Sequence, residues 1–300
     1  MKNRKAYKPL LATLLACGLS FDALAVENTS TEAVEVFEVE NTMTDMIEAV
    51  AEGTPRQEST DELRKAAQNP VASMISVPFQ NNTDFNIGPD NKTKNTLNIQ
   101  PVLPFELNDD WNLITRTIFP LVSQPALLPG KDRTFGLGDT TLTAFLSPKE
   151  HGKIAWGAGP MFLLPTATDD ILGADKWGIG ISGVALTMID KWTIGALVSN
   201  IWSVAGSGDN DINLFTLQYF VNYNLEGGWY LVTAPINTAN WEADSDNQWT
   251  VPLGGGAGRV FNIGKQPVNA QLSAYYNVET PENFGAEWQM RAQIQFLFPK

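Results

Sequence analysis

The sequence is poor in the residues from which soluble catalytic sites are usually built. It has one cysteine, Cys17, and one histidine, His151. Cys17 lies ahead of Ala25, so a chain cleaved after Ala25 holds no thiol. That excludes disulfides, thiol catalysis and cysteine-ligated zinc. Charge is also scarce: Asp, Glu, Lys and Arg make up 18% of residues, with 33 acidic against 20 basic and a net charge of −13. A balance so negative excludes a nucleic-acid-binding face. Long apolar runs are missing too. Hydrophobic residues are 43% of the chain, yet no stretch reaches the roughly 20 residues a membrane helix needs. The apolar residues must therefore be spread through short segments.

What is present begins with an export signal. Lys2, Arg4, Lys5 and Lys8 form a basic start, Pro9 to Leu19 is mostly apolar, and Ala23-Leu24-Ala25 has the form of a cleavage site. Residues 1–25 are expected to be a signal peptide that delivers the chain to the periplasm of a Gram-negative cell. Leu14-Leu15-Ala16-Cys17 offers an alternative, a lipoprotein box that would leave Cys17 lipidated. Both routes lead to the same compartment.

Residues 26–70 read as an acidic periplasmic arm. Carboxylates from Glu27 to Glu62 outnumber Arg56, Arg64 and Lys65, and Ser59-x-x-Glu62 has the form of a capping box for a short helix through Ala67. The arm is either a solvated, partly disordered segment or a plug or docking segment for a periplasmic partner.

From Val71 onwards, apolar residues alternate with polar or small ones, the pattern of transmembrane strands. The last segment is the clearest. Trp288, Met290, Ala292, Ile294, Phe296 and Phe298 fall on one face, and Glu287, Gln289, Arg291, Gln293 and Gln295 on the other. Such an aromatic-rich final strand is what barrel-assembly machinery recognises. Twelve segments are predicted: 71–83, 95–107, 111–123, 136–147, 154–166, 177–189, 192–204, 213–224, 229–241, 248–261, 267–278 and 286–298. Tight links such as Asn108-Asp109-Asp110 and Asp190-Lys191 alternate with longer, often acidic ones. Short periplasmic turns alternating with longer outer loops, with an even strand count, predict an all-β, up-and-down antiparallel barrel over residues 71–300, sitting in outer-membrane lipid.

Tryptophan placement agrees. Trp111, Trp192 and Trp229 start strands after tight turns, Trp177 and Trp249 start strands after outer loops, Trp241 ends a strand, and Trp156 and Trp288 lie near strand starts. These are expected to form two aromatic girdles at the headgroup levels. Trp202, the nearest to a mid-strand position that a soluble sandwich core would use, also sits close to a strand end.

By alternation, Asn98, Gln100, Glu106, Arg116, Asp139, Gln218 and Asn222 face the lumen, as do Asn269, Gln271, Asn277, Glu287, Arg291, Gln293 and Gln295. Twelve strands tilted near forty degrees enclose a backbone diameter of roughly 23 Å. A mixed-sign polar lining suits a small polar or amphipathic solute; alternatively the groups satisfy one another in a closed interior. Glu106, Arg116 and Asp139, on neighbouring strands, are candidates for an internal ion network.

Catalytic and metal readings are weaker. His151 sits in the tight turn Pro148 to Lys153 with no evident partner, the place of a solvated turn residue. Asp169-Asp170, Asp209-Asn210-Asp211 and Asp244-Ser245-Asp246-Asn247 carry the oxygen ligands calcium favours, but they lack the full spaced loop pattern. Leu253-Gly254-Gly255-Gly256-Ala257-Gly258 has no following Lys-Ser/Thr, so it suits strand bending or a close backbone contact better than a phosphate loop. Neither a metal nor a cofactor is expected.

Several blocks carry a family resemblance. They include Ala67-Gln68-Asn69-Pro70-Val71-Ala72, Val77 to Thr83, Leu97 to Val102, Asn108 to Thr117, Gly138-Asp139-Thr140-Thr141, Phe162 to Ala167, Asn240 to Asp244 and Gly264 to Asn269. Across residues 67–300 the sequence resembles bacterial outer-membrane proteins labelled "neuromedin U". These are grouped with transporter barrels named after a phenol-degradation (meta-cleavage) pathway. The resemblance implies a barrel that passes small, including aromatic, compounds, and supplies no catalytic residue. The expected function is a passive channel for small-molecule solutes. The alternatives are a closed structural or adhesive barrel and, more remotely, an outer-membrane hydrolase.

Overall fold

The computed structural model describes residues 59–299 apart from 89, 127–131, 151, 209 and 283. The predicted signal peptide, the arm up to Glu58, His151 and Asp209 lie outside the described residues. The described chain alternates as the sequence does and forms fifteen strands. They are β1 (Ile75–Ile87), β2 (Lys92–Ile99), β3 (Val102–Glu106), β4 (Trp111–Gln124), β5 (Thr134–Leu137), β6 (Thr140–Pro148), β7 (Ile154–Leu164) and β8 (Lys176–Ile189). β9 (Trp192–Gly206), β10 (Asn213–Asn224), β11 (Trp229–Thr233), β12 (Ile236–Asn240), β13 (Trp249–Ile263), β14 (Gln266–Glu279) and β15 (Trp288–Phe298) complete the series. β2 with β3, β5 with β6, and β11 with β12 are each one stave broken in two, so the wall has twelve staves. All neighbours are antiparallel, and β1 paired with β15, from Ile75↔Phe298 to Phe85↔Trp288, closes the barrel. Closure leaves no sheet edge with unpaired backbone groups, which a hydrocarbon environment demands.

Each broken stave has a local cause. Pro101 has no N–H to give to the ladder, so β2 stops at Ile99 and β3 resumes at Val102 in unchanged register. Between β5 and β6 the register against β4 slips by one residue, from Leu121↔Leu137 to Ile118↔Thr141. This bulge at Gly138-Asp139 moves the inward phase from even to odd residues, since a one-residue insertion flips which face each side chain takes. At the third break, Ala234-Pro235, pairing with β13 lapses between Val232↔Gly256 and Thr238↔Thr250.

The barrel is inside-out relative to a soluble protein. Ile181 and Leu272 face outwards at 62% and 57% exposure, whereas Arg291 and Asn269 face inwards at 2% and 3%. The outward tryptophans gather at the two ends. Trp111 meets Trp156 edge-on at 6.0 Å and Trp192 stacks at 4.8 Å on Tyr223 at the tight-turn end. Trp241 and Trp249 meet edge-on at 5.5 Å at the other end. Trp177, Trp202, Trp229 and Trp288 are exposed as well. The tight turns close on left-handed residues: Asp190 at φ 52° joins β8 to β9, and Gly264 at φ 60° joins β13 to β14.

The first described element lies inside the barrel. Helix α1 (Thr60–Ala67) starts with Ser59 Oγ accepting from the Glu62 N–H while Glu62 accepts from the Ser59 N–H, the reciprocal capping box that the sequence predicts. Asp61 and Glu62 fill its first turn and Arg64 and Lys65 its last, matching the helix dipole. The sequence begins the wall at Val71, but pairing begins at Ile75. The reason is packing: Leu63, Val71 and Met74 bury themselves among the inward side chains Ile114, Phe145, Val184, Leu197, Phe220 and Val260. This apolar cluster holds residues 60–74 in the lumen at the tight-turn end.

Candidate functional site

The lumen is where wall and inner segment leave space. A cavity of about 170 Å3 lies between residues 66–74 and the inner wall. Gln100, Arg116, Gln218, Asn222, Asn269, Gln271, Arg291, Gln293 and Gln295 line it, together with Gln80, Tyr230, Phe220, Val232 and Leu197. Its lining is amphipathic, because Met74, Leu197, Phe220 and Val232 of the apolar cluster border it beside amides such as Gln218 and Asn222, which lie opposite Leu197 and Val232.

The remaining sequence-selected residues lie elsewhere. Asn98 keeps the inward register, opposite Gln80 and Pro120. Asn277 is buried and donates to the Ala286 carbonyl at 2.7 Å. Glu287, at the outer rim, accepts from Asn86 at 3.0 Å. The suggested ion network of Glu106, Arg116 and Asp139 does not assemble. Glu106 pairs with Lys149 across the tight-turn rim at 3.0 Å. Arg116 Nη2 donates to Gln100 Oε1 at 2.6 Å. Asp139 accepts the backbone N–H groups of Ala167 and Ala174 at 3.2 and 2.7 Å. The three lie on neighbouring staves but at different heights and, at Asp139, beside a bulge, neither of which alternation reveals.

Asp139 thereby ties down the link between β7 and β8. Thr168 donates its N–H to the Leu137 carbonyl at 3.0 Å, and Thr166 Oγ1 accepts from the Thr140 N–H at 2.9 Å. The Leu172 carbonyl lies over Gly138 beside the inward side chains of Pro120 and Val122. This outer loop therefore leans over the mouth of the barrel.

The two inward arginines are engaged very differently. Arg291 uses all of its nitrogens: Nε donates to Asn82 at 3.1 Å, Nη1 to the Ala234 carbonyl at 2.8 Å, and Nη2 to Gln289 at 3.0 Å. It also lies 4.9 Å from the centre of the Tyr275 ring. Gln289 in turn donates to Asp84 at 2.9 Å, linking the cation to a carboxylate through one amide. Arg116 is held by Gln100 alone among these amides.

Residues that alternation passed over complete the site. Tyr230 Oη donates to Asn269 at 2.8 Å, and its ring lies where a side chain on Gly258 would sit, 2.3 Å from the position of a Cβ. The glycine run of β13 is thus a close-contact surface, not a phosphate loop. At the tight-turn end Gln68 donates to Asn224 at 2.9 Å and accepts from Thr193 at 2.8 Å, and Arg64 donates to the Leu225 carbonyl at 2.8 Å. Gln80 and Tyr230 each follow an outward aromatic residue, the signal that would have selected them. Among the described residues no three His, Cys, Asp or Glu side chains converge as a metal would require.

No protein-family model and no curated protein matches the chain. Its fold is similar to that of the COG4313 outer membrane channel from Pseudomonas putida F1, with a TM-score of 0.60 at 19% identity over 77% of this chain and 97% of that one. A Pseudomonas aeruginosa FadL homologue aligns with a TM-score of 0.40 at 11% identity, over 78% of this chain and 92% of that one. The outer membrane phospholipase A from Escherichia coli aligns with a TM-score of 0.41 at 13% identity, over 82% and 99%. At 19% identity the likeness to the COG4313 channel is one of fold: a closed, twelve-stave antiparallel barrel of the outer-membrane type.

Proposed function

We propose that the protein is an outer-membrane channel giving passive passage to small amphipathic solutes. The observation that carries this reading is a polar, amide-lined cavity of about 170 Å3 inside a closed wall whose outer surface is apolar and ringed by tryptophan at both ends. Such a wall is stable in lipid and such a lining replaces the hydration of a polar group in transit. The resemblance of residues 67–300 to phenol-degradation-type transporters accords with it. On this reading α1 and residues 68–74 form the gate at the tight-turn end, and catalysis plays no part.

A second reading, a closed structural barrel that binds a partner through its loops or acidic arm, is favoured by the seam of Gln68 with Asn224 and Thr193. One experiment separates the two. The chain from Val26 onwards has no cysteine, so Gln68→Cys with Asn224→Cys provides a unique thiol pair for a short bifunctional reagent. In planar bilayers the channel reading expects conductance that falls when the pair is bridged and returns on reduction. Absence of both conductance and liposome solute flux, bridged or not, would sink it and leave the closed barrel.

A further inference from the structure

We propose that Arg116 is the anchor for the anionic group, a carboxylate, of a small amphipathic organic acid. This inference rests on the channel reading and names the solute class. The chain as a whole carries a net charge of −13, yet no aspartate or glutamate is among the residues that line the lumen cavity. Two guanidinium groups are. A cavity that excludes the chain's prevailing charge and holds two cations is arranged for an anion.

The two arginines divide the work. Arg291 is held at all three nitrogens by Asn82, Ala234 and Gln289 and is linked through Gln289 to Asp84. It is a structural strut, with each of its three nitrogens already engaged by the protein. Among the described residues Arg116 has one hydrogen-bond partner, the neutral Gln100 at 2.6 Å, and takes part in none of the ion pairs. A guanidinium carries five donors in a fork that matches a carboxylate. Arg116 borders the cavity, and Gln100 takes up one of its five donors.

The rest of the cavity fixes the solute's body. Met74, Leu197, Phe220 and Val232 supply an apolar side, and the volume of about 170 Å3 is close to that of cavities that hold a benzene-sized guest, about 150 Å3. Gln80 and Gln218 border the same space and can take a further polar substituent. One acidic head and one compact apolar body match this lining.

The test uses the refolded chain from Val26 in detergent, with benzoate and its neutral counterpart benzyl alcohol as probes, followed by calorimetry and by flux into liposomes. Wild type is expected to bind benzoate at least about tenfold more tightly than benzyl alcohol, the scale of one charge-assisted hydrogen-bonded pair. Arg116→Gln is expected to erase that preference and Arg116→Lys to keep part of it. Gln100→Glu leaves Arg116 in place but supplies an internal counter-ion, and is expected to abolish benzoate binding while benzyl alcohol binding stays within a factor of two. The heat-dependent gel shift of folded barrels verifies that each variant is folded. If benzoate and benzyl alcohol bind alike in wild type, or if Gln100→Glu leaves benzoate binding intact, the anchor is wrong. Binding that follows these expectations without any flux would overturn the channel reading and leave the anchor standing. Flux of both probes that Arg116→Gln does not change would overturn the anchor and leave the channel.

Discussion

The guanidinium of Arg291 donates from Nη1 to the carbonyl oxygen of Ala234, 2.8 Å away across the lumen. Ala234 precedes Pro235 at the point where the stave of β11 and β12 lets go of β13. There its N–H is turned instead to the Tyr275 hydroxyl at 3.3 Å. Two inward side chains thus stand in for the missing ladder. A hydrogen bond from a charged donor contributes about 1.5–3 kcal/mol. Arg291→Met removes three such bonds, takes the charged donor from the Ala234 carbonyl and leaves Asn82 with only the longer bond from Gln80 at 3.3 Å. The variant is expected to unfold at clearly lower urea in detergent. An unchanged midpoint would show that the broken stave holds itself.

The inner segment is seated by apolar packing. Val71 is fully buried and lies against Gly157 on the wall, 3.0 Å from where a Cβ would stand. Leu63→Asp with Val71→Asp places two charges in that cluster at a cost of several kcal/mol. Single-channel recordings are expected to show a larger or more persistent open level, with the folded-barrel gel shift retained. Recordings identical to wild type would mean that residues 60–74 do not gate.

Asp139 holds the outer loop by two backbone N–H groups. Asp139→Ala orphans both, at about 1–3 kcal/mol each where they are shielded from water. Limited proteolysis between Ala167 and Lys176 is expected to speed up several-fold, with the wall itself still protected. Equal cleavage rates would show that Thr166 and Thr168 suffice to hold the loop.

The outward tryptophans test the membrane placement. In bilayers whose acyl chains are brominated at different depths, tryptophan emission is expected to be quenched most by bromines near the headgroups, since the rings cluster at the strand ends. Strongest quenching from the bilayer centre would contradict two girdles.

Much of the wall is legible in the chain. Alternation from Trp288 to Phe298 separates the lipid face from the lumen face residue by residue, and the links Asp190-Lys191 and Gly264-Lys265 mark tight turns by their need for left-handed backbone. Period-two alternation reads faces reliably because each side chain's face is a local property. It fails where the local rule changes. The bulge at Gly138-Asp139 shifts the phase, and residues 71–74, which alternate like a strand, find better burial inside the lumen than in the ladder.

The sequence by itself determined the twelve staves, the side that meets lipid, the aromatic ends and the helix cap at Ser59, because each depends on neighbours only a few residues away. The tertiary structure decided which polar groups meet. Whether Arg291 becomes a strut for Ala234 and Arg116 is left with Gln100 depends on heights and facing staves separated by tens or hundreds of residues, and on an inner segment that fills one end of the lumen. Those distances are set by closure of the barrel and by the packing of Leu63, Val71 and Met74, and neither is a property of any local stretch of sequence.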